Sequence, residues 1–86
     1  MEIRLIDESE KDLAYWEKSH NTIILKRIAE LFTSMEKNPT QGIGKPEPLK
    51  HDLSGYWSRR IDRENRIVYR VEQDTIWVIS LKGHYK

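Results

Sequence analysis

In the stretch from Gly42 to Arg66, two glycines and two prolines bracket a single carboxylate, Glu47 between Pro46 and Pro48, and a run of cations with two aromatics follows: Lys50, His51, Tyr56, Trp57, Arg59, Arg60, Arg63 and Arg66. Proline fixes φ and offers no N–H, and it pushes the residue before it into extended backbone. Glu47 is therefore expected on a stiff, extended stretch. Gly42 and Gly44 ahead of it can take angles closed to other residues. An acid held that way beside cations and aromatics suits a phosphate-rich substrate. Phosphodiester cleavage in RNA needs a base for the 2′-OH proton, an acid for the leaving 5′-oxygen, and a cation for the charge that builds on phosphorus. Glu47, His84 and Arg66 can supply these in that order. His84 stands just beyond an apolar run and beside Tyr85, where core packing has no use for a histidine. Aromatics stack unpaired bases while Lys and Arg meet phosphates, so Lys50, His51, Arg59 and Arg60 are candidate RNA contacts. For His51 a plain surface role stays equally open, and His20 reads as a residue of a helix–helix turn.

Other chemistries lack their residues. There is no Ser-His-Asp set, no Gly-rich loop opening a helix and no metal-ligand spacing, so neither metal nor cofactor is expected. The chain has no cysteine, which removes thiolate nucleophiles, cysteine zinc sites and disulfides and fits a reducing compartment. Net charge is only +1, yet acids outnumber bases through residue 36 and bases outnumber acids after it. The basic excess thus falls with the unusual loop, as expected if that half meets a polyanion, while a solvated surface with an uneven scatter of charge stays equally open on the count alone. No apolar run reaches membrane-spanning length and nothing reads as a signal peptide. A cytoplasmic protein with no membrane association is the expectation.

The 86 residues form one domain, 1–86, burying about 60–65% of the unfolded surface. Alternation over Met1–Ile6 predicts a first strand. Asp7, Glu8 and Ser9 offer acidic and capping groups for a helix that turns Leu13 and Trp16 inward, with Tyr15 a candidate for the same face. Asn21 or Thr22 caps a second helix whose Ile24, Ile28, Leu31, Phe32 and Met35 recur at helical spacing, and Pro39 ends it. Strands are predicted at Leu49–Leu53, Tyr56–Asp62, Arg66–Glu72 and Thr75–Leu81, with turns at Ser54-Gly55, Arg63–Asn65 and Gln73-Asp74. The fold class is α+β: two N-terminal helices packed on one face of a mostly antiparallel sheet, the first strand added at an edge. With period two, Ile67, Tyr69 and Val71 face the helices while Arg66, Val68 and Arg70 face the loop carrying Glu47.

The whole chain resembles the YoeB (Txe) toxins of the RelE superfamily. The likeness rests on Tyr15-Trp16, Gly44-Lys45-Pro46-Glu47-Pro48-Leu49-Lys50, Leu53-Ser54-Gly55, Trp57-Ser58-Arg59-Arg60-Ile61, Arg66-Ile67-Val68-Tyr69 and His84-Tyr85. It implies a RelE-like fold and a toxin of a toxin–antitoxin pair that enters the ribosomal A site and cuts mRNA. By the same resemblance Glu47 is general base, His84 general acid and Arg66 the transition-state cation. Tyr85 orients the substrate, and Lys50 and Arg60 lie near its backbone. The implied partners are a YefM-type antitoxin, the ribosome with its mRNA, and a second copy in a homodimer. Members of the family often end at the tyrosine; here Lys86 follows and moves the terminal carboxylate one residue on. The rival reading from another class is a module of the same fold that blocks the A site without cutting. A pure blocker needs cations but no acid–base pair, so Glu47, Arg66 and His84 together favour cleavage.

Overall fold

Alternation at the start of the chain and helical spacing after it become, in the computed structural model, which describes residues 1–83, two helices and five strands. They run β1 (Glu2–Leu5), α1 (Asp7–Lys18), α2 (Thr22–Lys37), β2 (Glu47–Pro48), β3 (Tyr56–Arg60), β4 (Arg66–Glu72) and β5 (Thr75–Ser80). A single 3₁₀ turn, His51–Leu53, separates β2 from β3. Asp7, Glu8 and Glu10 occupy the first turn of α1, where carboxylates meet the positive end of the helix dipole. Ser9 is not the cap residue but sits one turn inside. Its hydroxyl accepts from the Ile6 N–H at 2.9 Å and reaches the Val78 carbonyl at 2.8 Å, fastening α1 to β5. Asn21 caps α2 by accepting from the Ile24 N–H at 3.1 Å.

The strand order is β1-β5-β4-β3-β2. Strands β2 to β5 pair antiparallel, whereas β1 lies parallel to β5 at the edge, a pairing that the long stretch of chain between them permits. The β-branched and aromatic content of β4 suits its central position. Both helices lie on one face, where Ile24, Ile28, Leu31 and Met35 of α2 and Trp16 of α1 pack with Ile67, Tyr69, Ile76 and Val78 of the sheet. The period of two holds as expected: Ile67 and Tyr69 are buried beneath the helices, and Arg66 and Arg70 belong to the other face. One register shift interrupts β4 and β5 at Val68/Tyr69.

Three expectations need correction. Leu49–Leu53 is not a strand: only Glu47 and Pro48 pair with β3. Pro48 cannot donate to the ladder, and after one more bond, from the Leu49 N–H to the Tyr56 carbonyl at 2.8 Å, the chain coils into the 3₁₀ turn. β3 stops at Arg60 instead of Asp62, because the Asp62 carboxylate accepts from the Glu64 and Asn65 N–H groups at 2.9 and 2.8 Å, a side-chain alternative to ladder bonds. Tyr15 is exposed and lies outward beside Lys82, whose ammonium is 4.6 Å from its ring centroid.

Candidate active site on the open sheet face

The face of the sheet turned from the helices carries the acid and the cation that the sequence singles out. Glu47 starts β2 directly opposite Ser58, and Arg66 starts β4 directly opposite Arg60. Residues opposite each other in an antiparallel ladder share a face, so Arg60 and Arg66 stand side by side. Arg66 bridges the two pairs. Its Nη2 donates to Glu47 Oε1 at 2.8 Å and its Nε to the fully buried Ser58 Oγ at 3.0 Å. The two ends of this ion pair differ in access: the Arg66 side chain is 17% exposed and that of Glu47 58%. A held guanidinium and an accessible carboxylate can serve as fixed charge and as reacting group respectively.

Like charges placed opposite one another on a sheet are unfavourable, and Glu47 answers only one of the two arginines within the described residues. An anion seated between Arg60 and Arg66 would relieve the pair. Lys50 and His51 follow Glu47 along the chain, and both are exposed. His51 takes a left-handed φ of 59° as it opens the 3₁₀ turn. Glu47, Pro48, Leu49 and Lys50 line a small open depression of about 210 Å³.

The expectations for His84 and Tyr85 lie outside the described residues. The chain up to Gly83 is nevertheless firmly anchored. The Trp16 indole donates to the Leu81 carbonyl and the Asp12 carboxylate accepts from the Leu81 N–H, each at 2.9 Å. The Gly83 N–H then donates to Asn65 Oδ1 at 2.7 Å, and its carbonyl accepts from the Arg66 N–H at 3.1 Å. The residue joined to His84 is therefore bonded to the backbone of the site arginine.

A family model for the YoeB-like toxin of bacterial type II toxin–antitoxin systems matches residues 6–85. The chain belongs to that family. It is 46% identical over 79 residues to toxin YoeB of Escherichia coli K12, covering 92% of this chain and 93% of that protein. Its fold matches the solved YoeB/ParE toxin of Agrobacterium tumefaciens with a TM-score of 0.94 at 38% identity, covering 99% and 100% of the two chains. YoeB of Staphylococcus aureus, solved as a dimer and in a heterotetrameric complex with YefM, matches with a TM-score of 0.89 at 40% identity, covering 99% of this chain and 98% of that one.

In this YoeB-like toxin one candidate RNA contact is withdrawn. Arg59 pairs with Ile67 on the helix-side face, has no exposed surface and is hydrogen-bonded throughout by the protein itself. A phosphate cannot reach it without unfolding that region. Sequence alone misread it because two adjacent arginines in a strand point to opposite faces, and only the register decides which is inside. Ser58 went unnoticed as the oxygen that holds Arg66. The signal was available: it lies on the same face as Arg60, two residues along β3.

Proposed function

We propose that this toxin is an endoribonuclease that cleaves mRNA in the ribosomal A site and so stops translation. The observation that carries the reading is the Arg66–Glu47 ion pair on the open sheet face, with Arg60 directly across from Arg66. Glu47 acts as general base on the 2′-OH, whose oxygen attacks the adjacent phosphorus. Arg66 stabilises charge on the phosphoryl oxygens as it develops. His84 protonates the departing 5′-oxygen, and Tyr85 orients the substrate. The P–O5′ bond breaks as the P–O2′ bond forms, leaving a 2′,3′-cyclic phosphate and a 5′-OH. Lys50, Arg60 and His51 meet phosphates of the RNA on either side. Support comes from family membership and from the coexistence of a shielded cation with an accessible acid, which a pure A-site blocker does not need.

The partner that restrains this activity is a YefM-like antitoxin, by the relationship to the Staphylococcus aureus YoeB that is solved with YefM. A homodimer in the antitoxin-free state follows the same relative. The site of action is the cytoplasm, where translating ribosomes are found.

The deciding experiment uses ribosomes carrying an mRNA with a single 2′-deoxy sugar at the cut position. Cleavage there should vanish while neighbouring sites and ribosome binding persist. Glu47→Gln keeps the side chain's shape and removes the base, so it should fold normally and lose rate. Cleavage of the 2′-deoxy mRNA at a comparable rate would overturn the mechanism. Translation arrest with no cut in any mRNA would favour the blocker.

A further inference from the structure

Arg59 heads the fully buried side chains by volume, and its partners among the described residues are all neutral. A guanidinium has five N–H donors in a fixed fork, and here all five are matched. Nε donates to the Tyr69 hydroxyl at 3.0 Å. Nη1 donates to Ser34 Oγ at 2.7 Å and the Ile43 carbonyl at 3.1 Å. Nη2 donates to the Asn38 carbonyl at 2.6 Å and the Gln41 carbonyl at 3.0 Å. Burying a charge is costly unless it is paired or fully hydrogen-bonded, and complete satisfaction by converging oxygens is how this fold tolerates it.

Those oxygens belong mainly to one segment. Asn38, Gln41 and Ile43 lie in the loop from α2 to β2, which has neither helix nor strand over residues 38–46. A fourth loop carbonyl, that of Pro39, accepts from the Tyr69 hydroxyl at 2.6 Å, so it too is reached through Arg59's partner. The loop turns its carbonyls inward because one strand side chain supplies the donors. It next gives the Gly44 carbonyl to the Arg60 N–H at 2.7 Å, then enters β2 with Glu47 opposite Ser58.

We propose that Arg59 is a positioning residue for the cleavage reaction: by ordering the α2–β2 loop it sets the carboxylate of Glu47 against Arg66. This rests on the cleavage reading above. Lysine keeps the charge but presents its donors from a single point, so it cannot serve acceptors spread across the fork. A role in charge alone would survive that exchange; a role in loop geometry would not.

The test is a double-mutant cycle between Arg59→Lys and Glu47→Asp, read as single-turnover cleavage on programmed ribosomes at saturating toxin. Melting curves first establish a temperature at which all four proteins are folded. Arg59→Lys should slow cleavage by about 10²-fold, as for a misplacement near 1 Å, with ribosome affinity unchanged. In the Glu47→Asp background, where the carboxylate is already displaced, the same change should cost far less, because groups acting through one another are not additive. An equal loss in both backgrounds, or a wild-type rate for Arg59→Lys, overturns the proposal and leaves the cleavage reading intact. A wild-type rate for Glu47→Asp and Glu47→Gln alike overturns both. If Arg59→Lys does not fold, Tyr69→Phe takes its place in the cycle, since it removes only the Nε acceptor and the donor to Pro39; its loss must show the same dependence on Glu47, and an independent loss overturns the proposal.

Discussion

Arg66 and Lys50 carry the same charge in different surroundings, and the difference predicts different phenotypes. Arg66 is held by Ser58 and Glu47 and mostly shielded, so its guanidinium cannot follow a substrate about. It suits charge that appears at a fixed place in the transition state. Arg66→Ala should lower the single-turnover cleavage rate by roughly 10²-fold or more while leaving ribosome affinity nearly intact. Lys50 and Arg60 are exposed and suit phosphates that are charged before and after reaction. Lys50→Ala and Arg60→Ala should weaken association and flatten its dependence on salt, with little change at saturation. Rapid-quench cleavage over a toxin titration separates the two classes. A defect in Arg66→Ala confined to affinity would remove its transition-state role.

Among the elements, those with a strong hydrophobic period were legible and the loops were not. Of the α2 stripe, Ile24, Ile28, Leu31 and Met35 are buried as their spacing requires and Phe32 is partly buried against the same core, and β4 and β5 fall within one residue of their expected limits. The pairing of Glu47 with Arg66 could be foreseen as far as a shared face, because period two sorts Arg66 from Ile67. What could not be read was the α2–β2 loop, whose shape depends on a donor, Arg59, distant in sequence from Asn38 and Ser34. Gly44 in that loop reports the consequence, and Gly55, in the turn before β3, is its comparison. Gly44 has φ +83°, and a Cβ there would stand 2.7 Å from Leu31 Cδ2 and 3.2 Å from the Arg60 carbonyl. Gly55 has φ +95° and open space around it. Gly55→Ala should therefore cost only backbone strain, about 1 kcal/mol. Gly44→Ala adds a clash with a core leucine and the β3 backbone and should cost roughly 2–4 kcal/mol. Urea titrations of the two variants compare them directly, and equal losses would mean that the loop yields around Gly44 without resistance.

At the scale of the molecule, one core beneath one sheet face makes the toxin a single cooperative unit, so a buried titratable group inside it reports on global stability. Tyr69 is that group. It is fully buried in the central strand, accepts from Arg59 and donates to Pro39. Burial pushes its phenol above the ordinary value of 10.0, and the hydrogen bond and charge of Arg59 pull part of the way back. Below that ordinary value the phenol is protonated in both folded and unfolded chains, and its contribution to stability is fully present. As pH rises past it the unfolded phenol ionises while the folded one keeps its proton. The unfolded state is then favoured, and the contribution is lost as pH climbs toward the folded value. Tyr69→Phe has no such proton to lose. It also leaves the Pro39 carbonyl and Arg59 Nε without their partner, so at neutral pH it should be less stable by about 1–3 kcal/mol. The stability advantage of wild type over Tyr69→Phe should thus be constant below the ordinary value of 10.0 and shrink as pH rises past it, measured by urea unfolding at each pH. An advantage that stays flat or grows across that range would mean that Tyr69 gives up its proton as readily inside the fold as outside it, with the Arg59 cation outweighing burial.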